Sequence, residues 1–409
     1  MKSNLHRTVF AVEPHLPHER FGPARRPSRI VIVTETYDPE VNGVALTLGH
    51  LVSGLRERGH DVDVVRPRRP SDPRAVSGTI LVGGLPVPAY PGVRFGLPAR
   101  RLLERRWATS APDAVYVATQ GPLGWSAVRV ARRLGIRVVS GYHTRFDAYV
   151  GHYRLSGAAR VVGRYLRHFH NGTSCTLVPT LALKDQLTAA GFANVRVLGR
   201  GVDTALFDPS RRSTSLRRAW GAGAEDLVAL YVGRIAQEKN VGLAVEAYRA
   251  MQASRPGTRF VLVGDGPLRA SLQAAHPDLV FAGAQHGERL TAHYASADVF
   301  LFPSETETYG NVVPEAMASG LPVVAYDDAA ARTLVVPGDS GFVVPRGNPR
   351  AFVGAAVVLA RAPHALPSMR RHARQAVAAL DWNHVVDRFL ELLRNTDDEL
   401  LATGRSTSR

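Results

Sequence analysis

The chain has a single cysteine, Cys175, so no disulfide can close within it and a cysteine-rich zinc site is excluded. Lysine is almost missing: among 51 basic residues only Lys2, Lys184 and Lys239 are lysines. No apolar run approaches the roughly 20 residues that a membrane-spanning helix needs. The polar segment Met1–Arg29 carries no apolar stretch of the kind a secretory signal uses, so a cytoplasmic chain is expected. No G-x-G-x-x-G follows a strand-like run, which removes the nicotinamide and flavin fingerprint. Histidines at 143, 152, 168 and 170 lack carboxylate partners at ligand spacing, so no metal site is expected.

Acidic residues are the scarcer charge: 35 against 51 basic ones leave a net charge of +16 over 409 residues. Such an excess favours an anionic partner, whether nucleic acid, acidic lipid or a phosphorylated substrate. Where arginine supplies nearly all the cations, Lys239 marks a position suited to a compact ammonium.

Short apolar runs alternate with helix-period segments. Arg29–Thr34, Val62–Val65, Ala114–Val117, Arg137–Ser140 and Thr176–Val178 are predicted strands; 44–58, 122–134, 156–171 and 181–190 are predicted helices. The pattern lapses between Gly199 and Asp226 and then restarts with strands at 227–232, 260–263, 279–282, 299–302 and 323–325. The α/β class with two doubly wound, Rossmann-like parallel sheets follows. The expected divisions are a polar tail (1–28), a first sheet domain (29–205), a second (206–380) and a C-terminal helix and tail (381–409). Ligands of such sheets bind beyond the strand C-terminal ends, so a site is expected between the two domains.

Six loops after predicted strands carry unusual residues. Tyr37-Asp-Pro-Glu-Val-Asn-Gly-Val44 places Gly43 at a helix entrance, where backbone can approach a ligand closely. Gly141-Tyr-His143 aims a histidine at the rim, and Gly201-Val-Asp203 precedes the lapse. Gly233-Arg-Ile-Ala-Gln-Glu-Lys239 sets Arg234 and Lys239 around a helix start, an arrangement suited to a diphosphate. Gly264-Asp-Gly266 is a second glycine-rich turn. The sixth, Pro303 to Gly320, holds two acids, Glu307 and Glu315, in an E-x7-E element whose Pro314 suits a first helical turn. Each loop alone also fits an ordinary turn with solvated side chains.

Together, and in this order, these loops resemble the retaining, GT-B-fold enzymes of glycosyltransferase family 4, from Arg29 to about Leu393. The resemblance implies a nucleotide-diphosphate-sugar donor, GDP- or UDP-linked, and no required metal or other cofactor. It implies that Arg234 and Lys239 clamp the diphosphate, Glu315 meets the ribose, and Glu307 meets the transferred sugar. Gly43, Gly233, Gly264, Gly266, Tyr309, Gly310, Asn311 and Val312 would line the donor, and His143 would sit near the reacting face. Asp203 is a hinge candidate, and the C-terminal helix would cross back to the first domain.

The acceptor falls to the first domain. Residues 146–170 interleave Arg154, Arg160, Arg164 and Arg167 with apolar residues at helical spacing, which fits either a helix on an anionic bilayer or a solvated face. Tyr37 and Arg145 join them as acceptor-side or membrane-side candidates. The segment is similar to family members that mannosylate or hexosylate lipids such as phosphatidylinositol or diacylglycerol. The expectation is a hexosyltransferase at the inner face of the membrane, with no nucleic-acid partner. Alternatives are a soluble or polysaccharide acceptor, a GT-B epimerase, a phosphorylase or a non-catalytic binder.

Overall fold

Ile30, Val31, Ile32 and Val33 are all buried, although a strand sends alternate side chains to opposite faces. Both faces of this strand are therefore covered, as in a parallel sheet flanked by helices. The computed structural model describes residues 26–40, 42–86, 94–143 and 156–394.

The first sheet holds β1 (Arg29–Val33), β2 (Asp61–Pro67), β3 (Thr79–Val82), β6 (Ala114–Val117), β7 (Arg137–Gly141), β8 (Cys175–Val178) and β9 (Val195–Val197). Its order is β3-β2-β1-β6-β7-β8-β9 and every pair is parallel. A small antiparallel hairpin, β4 (Gly84–Pro86) with β5 (Arg94–Gly96), stands apart. The second sheet holds β10 (Val228–Val232), β11 (Arg259–Val263), β12 (Val280–Gly283), β13 (Val299–Phe302), β14 (Val323–Tyr326) and β15 (Gly341–Val344), in the order β12-β11-β10-β13-β14-β15, again all parallel. Strand order reverses between β1 and β6 and between β10 and β13, and crevices open beyond the strand ends at such points.

Two layers of helix close the first sheet. Ile30 and Ile32 pack with Leu48, Leu51 and Leu55 of the Gly43–Glu57 helix and with Val386, Phe389 and Leu393. Val31 and Val33 pack with Leu103, Trp107, Leu123 and Ala127 on the other face. A fully buried leucine of this kind contributes about 1.5–3 kcal/mol.

The C-terminal helix, Trp382–Arg394, belongs to the first sheet although the chain reaches it through the second. Arg58 Nε lies 2.7 Å from Asp387 Oδ1, Arg137 Nη2 donates to the Leu392 carbonyl at 3.1 Å, and Gly54 lets Val386 approach the facing helix. The expected crossover is therefore present. The helix predicted over 381–402 is described as far as Arg394. Two chain crossings run side by side, where Val202 N–H donates to the Leu380 carbonyl at 2.8 Å.

Several elements carried no usable sequence signal. The strands Thr79–Val82 and Gly341–Val344 are only partly buried, unlike the fully buried four-residue strands Ala114–Val117 and Val299–Phe302 that were predicted. The helix Arg100–Thr109 is so rich in arginine that only Leu103 and Trp107 are buried.

Candidate active site

The loop after β10 meets the loop after β13 at the switch point of the second sheet. Lys239 ends a short 3₁₀ turn, Gln237–Lys239, and its Nζ forms an ion pair with Glu307 Oε1. Ser304 Oγ donates to the same carboxylate oxygen at 2.7 Å. An ammonium has three donors, so this pairing leaves two for another anion. Arg234 lies beside them with Glu238 Oε1 3.6 Å from its Nη1, and the Arg234 side chain is 39% exposed. The Lys239 side chain is 20% exposed, so both cations reach the surface of the crevice.

Glu315 lies behind the rim. It sits in the first turn of the Val312–Ala318 helix, where Tyr294 Oη donates to its Oε2 at 2.9 Å. Burial pushes its carboxyl up to about 7, against the lowering effect of that one hydrogen bond. A half-buried carboxylate with spare acceptor capacity is suited to hydroxyl donors. Asn311 precedes this helix without a side-chain capping hydrogen bond, and the Gly310 backbone at φ +85° makes the turn into it. In the first turn Val313 N–H donates to Gly310 O at 3.0 Å and Glu315 N–H to Asn311 O at 3.2 Å. The Tyr309 carbonyl accepts from Ala330 N–H at 2.9 Å, and burial raises the Tyr309 phenol to about 12.

Across the cleft, Asn42 caps the Gly43–Glu57 helix by accepting from Val44 and Ala45 N–H at 3.1 and 3.0 Å. A Cβ on Gly43 would lie 3.7 Å from Asn311 Nδ2 of the opposite domain. The two expected donor-side loops therefore face each other.

The glycine-rich turns behave differently from expectation. A Cβ on Gly264 would overlap the Gly233 carbonyl, and one on Gly266 would overlap the Ile235 carbonyl. Ile235 N–H donates to Asp265 O at 2.9 Å, so the turns after β10 and β11 interlock. The Gly264 N–H is spent on Gly283 O at 2.8 Å and the Gly266 N–H on Asp265 Oδ1 at 2.7 Å. These two glycines thus set the shape of the Arg234 loop, and their N–H groups are hydrogen-bonded within the protein.

His143 follows β7 at the rim of the first sheet. Both ring nitrogens are engaged, Nε2 with Tyr116 Oη at 2.7 Å and Nδ1 with Arg200 Nη2 at 2.9 Å. Burial, then the nearby charge of Arg200, holds the imidazole well below the ordinary histidine value. Tyr116 and Arg200 had no distinguishing sequence pattern, and only the fold brings them to His143. Asp203 accepts from Ala205 and Leu206 N–H at 3.0 and 2.8 Å, which makes it the cap of a turn at the hinge.

On the acceptor side, Tyr37 packs against the first-sheet core, and its carbonyl accepts from Arg69. Arg160, Arg164 and Arg167 are exposed on the Ser156–Asn171 helix, and Arg167 Nη1 donates to Ala190 O at 3.1 Å. Arg145 and Arg154 lie outside the described residues. Among the described residues no cluster of three or more histidine, cysteine or acidic side chains is placed to hold a metal.

Residues 41–206 match the family model described as Glycosyltransferase Family 4, and residues 226–362 match that described as Glycosyl transferases group 1. The chain is 36% identical over 371 residues to a GDP-mannose-dependent alpha-mannosyltransferase of Mycobacterium tuberculosis, covering 88% of this chain and 95% of that one. It is 28% identical over 322 residues to the alpha-monoglucosyldiacylglycerol synthase of Acholeplasma laidlawii, covering 73% and 81%. Among solved structures, sucrose-phosphate synthase from Thermosynechococcus elongatus superposes with a TM-score of 0.72 at 20% identity, over 91% of this chain and 100% of that one. Anabaena HepE in complex with UDP and glucose gives 0.69 at 19%, over 90% and 100%. With the two sheets facing each other across a cleft, the fold is GT-B, and the chain is a glycosyltransferase of family 4.

Proposed function

We propose that the chain transfers mannose from GDP-mannose to a hydroxyl of a membrane lipid, with retention at the anomeric carbon. The observation that carries the reading is the convergence of Lys239, Glu307, Arg234 and half-buried Glu315 at one switch-point crevice. Relatives 36%, 34% and 30% identical are named as GDP-mannose-dependent alpha-mannosyltransferases, which supports the donor. A 27% identical relative is named as a phosphatidylinositol dimannoside mannosyltransferase and a 28% identical one as a diacylglycerol glucosylating enzyme, which supports a lipid acceptor.

In this reading Arg234 and the two spare donors of Lys239 bind the diphosphate. As the sugar C1–O bond breaks, its electron pair moves onto the β-phosphate oxygen, and these cations favour that charge over the ground state. The acceptor oxygen bonds to C1 on the same face and its proton passes to the leaving phosphate. Glu307 orients the sugar, and Glu315 accepts from the ribose hydroxyls. Two fixed cations supply the charge compensation that a divalent ion supplies elsewhere, so no metal is required.

Membrane contact belongs to the same proposal. The Arg100–Thr109, Pro122–Arg133 and Ser156–Asn171 helices lie side by side and carry exposed Arg101, Arg105, Arg129, Arg133, Arg160 and Arg164, with Val161 68% exposed among them. Cations around an apolar side chain suit the surface of an anionic bilayer.

The test is transfer from radiolabelled GDP-mannose to extracted lipids, with and without a chelator, beside UDP-glucose. A labelled lipid formed from GDP-mannose in chelator supports the reading. Label only in water-soluble product, activity only with UDP-glucose, or loss of activity in chelator overturns the corresponding part. Sedimentation with phosphatidylglycerol vesicles, reversed by salt, supports the membrane contact; equal binding to phosphatidylcholine vesicles counts against it.

A further inference from the structure

Arg200 sits in the first chain crossing between the sheets, between Gly199 and Gly201. It is 6% exposed, yet its guanidinium meets no carboxylate among the described residues. Nη1 donates to the carbonyls of Leu198 and Gly199, both at 3.2 Å, and Nη2 reaches His143 Nδ1 at 2.9 Å. Buried cations are ordinarily paired with an acid. This one is spent instead on two backbone carbonyls and a histidine at the rim of the cleft, and it lies close enough to Tyr309 of the second domain for its charge to act on that phenol.

The donor inventory fixes what that contact means. A guanidinium has five N–H donors and no acceptor, so in this hydrogen bond His143 Nδ1 must accept and carries no proton. The proton of the neutral ring then resides on Nε2, which donates to Tyr116 Oη at 2.7 Å. A Cβ on Gly141 would lie 2.5 Å from His143 Nε2 and would also overlap the Tyr116 hydroxyl, so glycine at 141 leaves room for this bond.

We infer that Arg200 is a positioning residue for His143: from the hinge it holds the ring as the neutral Nε2–H tautomer with both nitrogens committed, so the side chain serves neither as base nor as cation during transfer. The inference rests on the reading of His143 as part of the transferase cleft.

The groups facing His143 are consistent with a ring that stays neutral. Tyr116 on β6, its phenol raised by burial, presents a neutral hydroxyl. His170 on the Ser156–Asn171 helix is buried, accepts or donates at Nδ1 with Ser140 Oγ at 2.9 Å, and is lowered by burial to about 3, so it too stays uncharged. Cys175 on β8 lies near Tyr116, and Tyr309 lies beyond Arg200. Arg200 is the one group in this set that carries charge at neutral pH.

The experiment is histidine-selective 15N labelling of the full chain, with the His143 signals identified by their loss in His143→Gln. These are followed from pH 5.5 to 8 in the wild type, Arg200→Met and Arg200→Gln, beside kcat at saturating donor. The wild type should show the neutral Nε2–H pattern throughout and no acid limb in kcat. In Arg200→Met the tautomer should mix, and protonation should move up toward the ordinary histidine value, giving a fall in kcat of about threefold or more from pH 8 to 5.5. Arg200→Gln keeps an N–H donor without the charge and should retain the tautomer. A wild-type ring that titrates near 6.5 or carries its proton on Nδ1 overturns the inference. So does an Arg200→Met enzyme slowed by one factor at every pH, the mark of a merely structural role. If Arg200→Met does not fold, the wild-type spectra and Arg200→Gln still decide. Absence of any transfer by the wild type would instead count against the proposed function, since the ring's protonation is read without turnover.

Discussion

Lys239 and Glu307, 68 residues apart in the chain, form an ion pair at the crevice between β10 and β13, with side chains 20% and 16% exposed. The pair joins the side chain proposed to hold the diphosphate to the one proposed to hold the sugar. The two are therefore expected to act as a unit. Lys239→Ala should lower kcat by about 10²-fold or more, the scale of losing one group that stabilises developing charge. Glu307→Gln should also lower it, and the double variant should be little worse than the poorer single one. Initial rates on the three variants check this; fully additive losses would show that the residues work separately.

Glu315 gives a pH dependence whose sign follows from burial. Its folded value of about 7 exceeds the ordinary glutamate value of 4.5, so between these the folded protein binds the proton more tightly. That contribution to stability is whole below pH 4.5 and is lost as pH rises through 7, up to about 3 kcal/mol. Glu315→Gln should therefore melt higher than the wild type at pH 8, with the difference vanishing near pH 5. In the opposite sense, the KM for donor should rise as pH falls through 7, because a neutral carboxyl accepts ribose hydroxyls less well. Thermal melts and donor titrations at pH 5, 6.5 and 8 check both halves.

The interlocked turns after β10 and β11 predict a contrast between two glycines. Gly264 has φ +138° and a Cβ there would overlap the Gly233 carbonyl, so Gly264→Ala should lower stability by several kcal/mol and displace the Arg234 loop. Gly354, inside the Pro349–Arg361 helix, has nothing within 4 Å of a Cβ, so Gly354→Ala should stabilise by about 0.5–1 kcal/mol. Denaturant midpoints distinguish them; equal shifts would refute the packing account.

Asp298 is a hub rather than a catalytic acid. Its carboxylate takes Arg212 at 2.8 Å, Arg217 at 2.9 Å and Arg370 at 3.1 Å, and Val228 N–H at 2.9 Å. Asp298→Ala would strand three arginines and should cost about 3–5 kcal/mol. Urea unfolding measures it, and a loss below about 1 kcal/mol would show the cluster to be a surface-like network.

The strands around Ile30, Tyr116, Tyr231 and Phe300 were legible because both-face burial leaves an unbroken apolar run. The E-x7-E element and the Arg234–Lys239 spacing were legible because each lies within one short stretch of chain. His143 was legible as a residue of the rim, but its state was not: the partners that occupy its nitrogens lie 27 and 57 residues away. Gly264 and Gly266 looked like a phosphate turn, since glycine spacing alone does not distinguish a turn open to a ligand from one packed against another turn.

The sequence by itself determined the alternation of strands and helices, the loops that carry charge, and the family to which the chain belongs, because periodicity and motif spacing are local properties. Tertiary structure alone decided that Lys239 meets Glu307, that Arg200 meets His143 and that Glu315 packs against Tyr294. Those pairings depend on strand order and register, and the protonation of each group depends on how much water its neighbours exclude, neither of which a linear pattern encodes.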